Sequence, residues 1–262
     1  MNDSCSSMNQ FPSDFADLLT PLGRRIVQGK DPEFKSLFAS SEARFLLLTG
    51  LIDREKARAC IRLLDRHIYR FLSVASSRIE ADSIAGMKQD HGEVLEKVFR
   101  LKTAFLSKKS ARSYVAADKV GLLRTLRSES FGRFAEMVTG LQLAKPPSLQ
   151  IFCYEHGDYV GPHNDHYPEQ DPDGRGYIDV HVMLSNSAVS HQYLIYEKGG
   201  HFSQVVDVNL ESGISIYRLP FWHQVTPLIG KPGRENEARR WLLLGTFDFS
   251  PVSRSSSRSE RP

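Results

Sequence analysis

The segment Gly161-Pro162-His163-Asn164-Asp165 sets an imidazole and a carboxylate two residues apart. In an extended strand, residues i and i+2 project to the same face, so His163 and Asp165 would point together. A metal site needs a third ligand, and His181, His191, His201 and His223 all lie downstream. His223 stands out among them. Phe221-Trp222-His223-Gln224-Val225-Thr226-Pro227 puts it at the start of an apolar strand after a proline-marked turn. Two imidazoles and one carboxylate leave coordination positions open, which suits a non-haem ferrous ion working with dioxygen. The chain has nine histidines, so an H-x-D pair taken singly also arises by accident. His181, between Val180 and Val182, reads as a packed strand histidine rather than a ligand.

Positioning such groups needs strands, and the chain changes to strand-like patterning after Lys145-Pro146-Pro147. Short apolar runs broken by Gly, Pro, Asn and Asp predict strands at 149–155, 159–165, 177–185, 192–197, 204–208, 213–218, 222–226 and 239–249. Eight strands within about 100 residues suggest a sandwich or a closed jelly roll. Upstream, charged and apolar residues alternate at helical spacing. Asp53 is a good N-cap for a helix over 54–71 with Ala57, Cys60, Ile61, Leu64 and Ile68 on one face. Further helices are predicted over 92–106, 117–126 and 129–139, and a strand over 44–52 that joins a sheet edge. The expected architecture is therefore α+β. A mainly helical part, 13–145, would buttress one sheet of a β core at 146–250, with 1–12 and 251–262 disordered.

Composition narrows the class of function. The 262 residues are 40% hydrophobic and 25% charged, which excludes a fibrous or largely disordered chain. Thirty-four basic against 31 acidic residues leave a net charge of only +3, which argues against a nucleic-acid partner. Cys5, Cys60 and Cys153 are odd in number and widely spaced, so no disulfide framework is implied and a reducing compartment fits. The polar first ten residues lack the apolar core of a signal peptide. The densest apolar stretch, around Phe45 to Leu48, is too short to span a bilayer. A cytoplasmic protein without a membrane partner is expected.

Several motifs occur in order. They are Tyr154, Gly157, Tyr159-Val160 and His163-x-Asp165; then Gly199-Gly200; Gly213-Ile214-Ser215-Ile216-Tyr217; His223-Gln224-Val225-Thr226-Pro227; and Arg240-Trp241-Leu242-Leu243. Over about 100 residues the chain thereby resembles the 2-oxoglutarate- and iron(II)-dependent dioxygenases, especially the prolyl 4-hydroxylase-like branch. The resemblance implies a double-stranded β-helix core. It also implies iron(II) held by His163, Asp165 and His223, with 2-oxoglutarate and O2 as co-substrates. The far carboxylate of 2-oxoglutarate needs a fixed cation, and an arginine can hold it through two hydrogen bonds. Arg240 opens an aromatic-led apolar strand as in the family and is the expected residue, with Lys231 and Arg234 as the alternatives. Tyr154 matches a tyrosine that donates to the co-substrate. The implied activity is hydroxylation of an unactivated C–H bond in a small molecule or a peptide, coupled to decarboxylation of 2-oxoglutarate to succinate. Two readings of other classes compete with it: a cupin-like metalloprotein without 2-oxoglutarate, and a non-enzymatic jelly-roll binding module. The acidic stretch Tyr167 to Gly176 beside the metal motif reads as an exposed loop or a substrate lid.

Overall fold

Alternation along the strands decides what each sheet face meets. The computed structural model describes residues 8–38, 43–77, 98–165 and 176–249. Upstream lie α1 (Pro21–Val27), β1 (Phe45–Thr49), α2 (Arg54–His67), β2 (Ser73–Ser76), β3 (Phe99–Phe105), α3 (Arg112–Lys119), α4 (Leu122–Leu126) and α5 (Glu129–Thr139). Downstream lie β4 (Ser148–Glu155), β5 (Tyr159–His163), β6 (Tyr177–Ser185), β7 (Val189–His191), β8 (Tyr193–Lys198) and β9 (His201–Asp207). They are followed by β10 (Ser212–Leu219), β11 (His223–Val225), β12 (Ile229–Gly230) and β13 (Arg239–Asp248).

Among the described residues one sheet runs in the order β1-β10-β6-β13-β4-β3-β5-β11-β8-β9, with β2 on the outer side of β3 and all pairings antiparallel. It curls into a jelly roll, and its two faces carry different cores. Ile151, Cys153, Val180, Val182, Leu184, Ile214, Ile216, Trp241, Leu243 and Phe247 meet the helices, packing with Ala57, Cys60 and Leu64 of α2 and Phe131, Phe134 and Val138 of α5. The alternate residues, among them Tyr154, Met183, Tyr217 and Leu242, face the inside of the curl with Val160, Leu194 and Val225 from the opposite wall. The helices thus buttress one sheet face, and the other face is left to line a cavity.

Local chemistry explains most of the elements. Asp53 Oδ1 accepts from Lys56 N at 3.0 Å and caps α2, whose buried stripe is the one that the spacing predicts. The indole of Trp241 donates to Asp65 Oδ1 at 3.1 Å and ties α2 to β13. β1 pairs with β10 at the end of the sheet path.

Three expectations are corrected. The helix over 92–106 is instead, in its described part, the strand β3. Its Leu101 and Thr103 turn toward the cavity, and its backbone bonds to β4, β5 and β2. The apolar spacing there fits both periods, and the open edge of β4 settles it. The helix over 117–126 is two helices, broken at Gly121 with φ 81°. Residues 8–12 are ordered: Phe11 is buried and its backbone N–H donates to Val120 O at 2.7 Å. The expectations for 1–7, for most of 167–176 and for 251–262 lie outside the described residues. Among the described residues no helix is long and apolar enough to cross a membrane.

Candidate metal centre and co-substrate cavity

β5 and β11 pair with His163 directly opposite His223, which brings the two rings to 4.2 Å between centroids. Each ring is held from behind. His163 Nδ1 lies 2.7 Å from Gly161 O, and His223 Nδ1 lies 2.9 Å from Phe221 O. A carbonyl can only accept, so each Nδ1 carries a proton and Nε2 is the ring atom turned toward the site. Both Nε2 atoms face Asp165 Oδ2, at 3.3 Å and 3.6 Å. Phe221 stacks on the His223 ring at 4.7 Å, and Tyr217 meets it edge-on at 5.2 Å. The ligand-type atoms of His163, Asp165 and His223 all lie within 4.8 Å of one another.

The carboxylate does not arrive by the expected pleat. β5 ends at His163, short of the predicted 165, and Asp165 has φ 53°. A turn out of the strand, in the left-handed region that Asp tolerates better than most residues, aims it back at the imidazoles. Tyr177 Oη donates to Asp165 O at 2.5 Å and holds that turn. Gly176 before it has φ 74°, and a Cβ there would lie 1.8 Å from Leu219 O, so the approach of β6 to β10 requires glycine.

These three groups are so placed that they could hold one metal ion between them. Two imidazoles with fixed tautomers and one carboxylate form the donor set that suits mononuclear iron.

The same cavity, about 1100 Å³, is lined by Tyr154, Asp179, His181, Tyr217 and Arg240 together with His163, Asp165 and His223. Arg240 sits on β13 between Tyr154 of β4 and Ser185 of β6 and is 1% exposed. Its Nε donates to Val208 O at 3.0 Å, its Nη1 to Gln192 Oε1 at 3.0 Å, and its Nη2 lies 3.3 Å from Met183 Sδ. No carboxylate pairs with it among the described residues, and burial pulls its pKa down. The guanidinium lies over the Tyr154 ring, 5.5 Å from its centroid. Burial pushes the phenol of Tyr154 well above its ordinary range. Lys231 and Arg234 are exposed, and Arg234 Nη2 pairs with Glu237 Oε2 at 2.8 Å.

The chain is similar to an oxidoreductase of the 2OG-Fe(II) oxygenase family from Burkholderia pseudomallei, with TM-score 0.51 and 11% identity over 82% of this chain and 88% of that one. The fold is that of a 2OG-Fe(II) oxygenase. Also similar, at lower TM-scores of 0.46 and 0.41, are two other solved structures. One is a prolyl hydroxylase from Trichoplax adhaerens in complex with a hypoxia inducible factor peptide fragment (12% identity; 87% of this chain, 89% of that one). The other is a Pseudomonas putida prolyl-4-hydroxylase (14% identity; 87% and 99%). No family model matches the chain, and no curated protein matches it in sequence.

On this oxygenase fold the residues singled out in the sequence, His163, Asp165, His223, Arg240 and Tyr154, all reach one cavity. Gly199 and Gly200, with φ 67° and 84°, turn β8 into β9. Sequence reasoning missed Gln192, which is fully buried and orients Arg240 while its own Nε2 donates to Thr226 O at 3.0 Å. A lone glutamine at a strand boundary carries no signal of that role. It also missed Asp179, and it read His181 as packing. His181 lines the cavity, with Nδ1 3.4 Å from Ser215 Oγ and its ring 4.4 Å from that of Tyr217. The period-2 pattern of β6 does carry that signal, because Tyr177, Asp179 and His181 share one face.

Proposed function

We propose that this chain is an iron(II)- and 2-oxoglutarate-dependent dioxygenase of the prolyl 4-hydroxylase-like branch. It hydroxylates an unactivated C–H bond in a small molecule or a peptide. The observation that carries this reading is a pairing inside one cavity: three convergent ligand atoms with fixed tautomers, and a buried guanidinium that has no carboxylate partner. Iron and 2-oxoglutarate, when bound, supply the chemistry, the coupling of O2 reduction and decarboxylation to succinate with insertion of one oxygen atom into a C–H bond.

The chain's own residues bind and orient. His163, Asp165 and His223 would hold the metal on one side and leave its other positions to ligands. Arg240 would take the far carboxylate of 2-oxoglutarate with its planar fork, and Gln192 and Val208 O keep that fork from rotating. Tyr154 would offer its hydroxyl to the same carboxylate, in the protonated state that burial enforces. Val160, Val225, Leu101 and Leu242 in the wall exclude water from the reacting centre. A partner other than nucleic acid fits the weak net charge of +3, and a reducing, cytoplasmic location fits the free, buried thiols of Cys60 and Cys153.

The test is an anaerobic titration of purified protein with iron(II) and then 2-oxoglutarate, reading the visible charge-transfer band of the chelate. The band should form, and H223A should abolish it. Iron binding without a band would favour the cupin-like reading. Folded protein that binds no iron would refute the enzyme reading.

A further inference from the structure

The cavity wall holds a second, unused charge. Asp179 on β6 lies in register between Tyr217 of β10 and Thr246 of β13. Its side chain is 10% exposed, and its residue lines the cavity. Oδ2 is 3.9 Å from His181 Nε2, too long for a hydrogen bond, and Oδ1 is buried with no partner at all. Among the described residues no lysine or arginine pairs with it. The two cations in the wall are engaged elsewhere: Arg240 on Gln192 and Val208, and Arg127 at the rim, whose Nη1 donates to Tyr114 Oη at 3.2 Å.

A buried carboxylate without a donor is costly, so its presence in a cavity wall calls for a partner that arrives from outside. The position excludes 2-oxoglutarate as that partner. Like charges repel, and Thr246, opposite Asp179, is six residues from Arg240 along β13, about 20 Å by strand rise. Between the two lie the apolar Leu242 and Leu244 on the same face. The cavity therefore has a cationic end and an anionic end, with the metal ligands on the wall opposite. The soft terminal torsion of an aspartate lets the unpaired oxygen swing toward a donor in the cavity.

We propose that Asp179 is a substrate-recognition residue that receives a primary ammonium or guanidinium group, so that the substrate is a cation at neutral pH. This rests on the oxygenase reading above only in calling that cation the substrate; the binding itself is independent of it. His181 and Tyr217 beside Asp179 would flank the group, and the cation would enter the same space that adjoins His223 through Tyr217.

The experiment uses the full chain loaded anaerobically with iron(II) and 2-oxoglutarate, with the chelate band as internal control. Calorimetric titrations at fixed ionic strength compare n-butylammonium and n-butylguanidinium with neutral n-pentanol. Nα-acetyl-lysine and Nα-acetyl-arginine N-methylamides form a second arm, which separates a peptidyl cation from a free one. At least one cation should bind about tenfold more tightly than the neutral probe, the order that one charge-assisted hydrogen bond provides. D179N should erase that preference and leave the chelate band unchanged. D179N should also melt at or above the native temperature, because an unpaired buried charge is removed, whereas a structural carboxylate would lower it; D179S repeats the comparison. Equal binding of charged and neutral probes, a preference that survives in D179N, no cation binding at all, or a lowered melting temperature in both variants would each overturn the proposal. Absence of the band refutes the oxygenase reading instead, and the calorimetric result for Asp179 stands without it.

Discussion

Replacing Arg240 by methionine separates what the guanidinium does for the fold from what it does for the co-substrate. In the fold, R240M leaves Val208 O and Gln192 Oε1 without their donor, at about 1–3 kcal/mol each. It also removes a buried cation that has no carboxylate partner, which offsets a loss of that size. The unliganded variant should therefore melt within a few degrees of the native chain. Co-substrate binding has no such compensation. An arginine–carboxylate pair in a dry site is worth roughly 3–5 kcal/mol against loss of one partner, so affinity for 2-oxoglutarate should fall on the order of 10²–10⁴-fold. The assay is thermal unfolding with iron(II) under anaerobic conditions, with and without 2-oxoglutarate. At a concentration 100 times the native Kd, 2-oxoglutarate adds about 2.7 kcal/mol of stability, or about 5–10 °C for a chain of this size. After a hundredfold loss of affinity it adds about 0.4 kcal/mol, or about 1 °C. R240K, which keeps the charge but not the fork, should fall between the two. A folded R240M whose 2-oxoglutarate shift stays within twofold of native would refute the assignment and direct attention to Lys231 and Arg234.

Three further outcomes test other parts of the structure. G245A would set a methyl group 2.6 Å from Phe131 Cε1, where the strand meets α5, and should cost roughly 1–3 kcal/mol in urea unfolding at unchanged m; an unaffected midpoint would contradict the packing. Burial raises the phenols of Tyr154 and Tyr217, so above pH about 10 the unfolded chain releases protons that the native chain keeps. Stability is therefore full below pH 10 and should fall as the pH rises beyond it, by about 1.4 kcal/mol per pH unit for each phenol, and Y154F should flatten the curve of melting temperature against pH. Burial pushes the Cys60 thiol up to about 12 and holds the Cys153 thiol well above its ordinary value, so peptide mapping after iodoacetamide treatment of native protein should find both unmodified, and labelling at neutral pH without unfolding would show that the α2 layer opens.

Much of the candidate site was legible in the sequence, because its residue types are rare in combination and their order along the chain survives any folding. Strand periodicity and motif order brought out His163, Asp165 and His223, and the family resemblance carried by the ordered motifs added Arg240 and Tyr154. The same periodicity set the buried stripe of α2 and the alternation that gives β6, β10 and β13 one face toward helices and one toward the cavity. What tertiary structure alone decided was everything that depends on a partner distant in the chain. β3 became a strand because β4 offered it an edge. Asp165 reached the imidazoles through a left-handed turn held by Tyr177, and no local pattern encodes that. The tautomers of both histidines follow from carbonyls that only the folded backbone aims. Gln192 acquired its role because Arg240 came to lie 48 residues away in sequence and 3.0 Å away in space. Asp179 became a charge without a partner for the same reason: the cost of a buried group is set by what surrounds it, and the surroundings exist only once the sheet has curled.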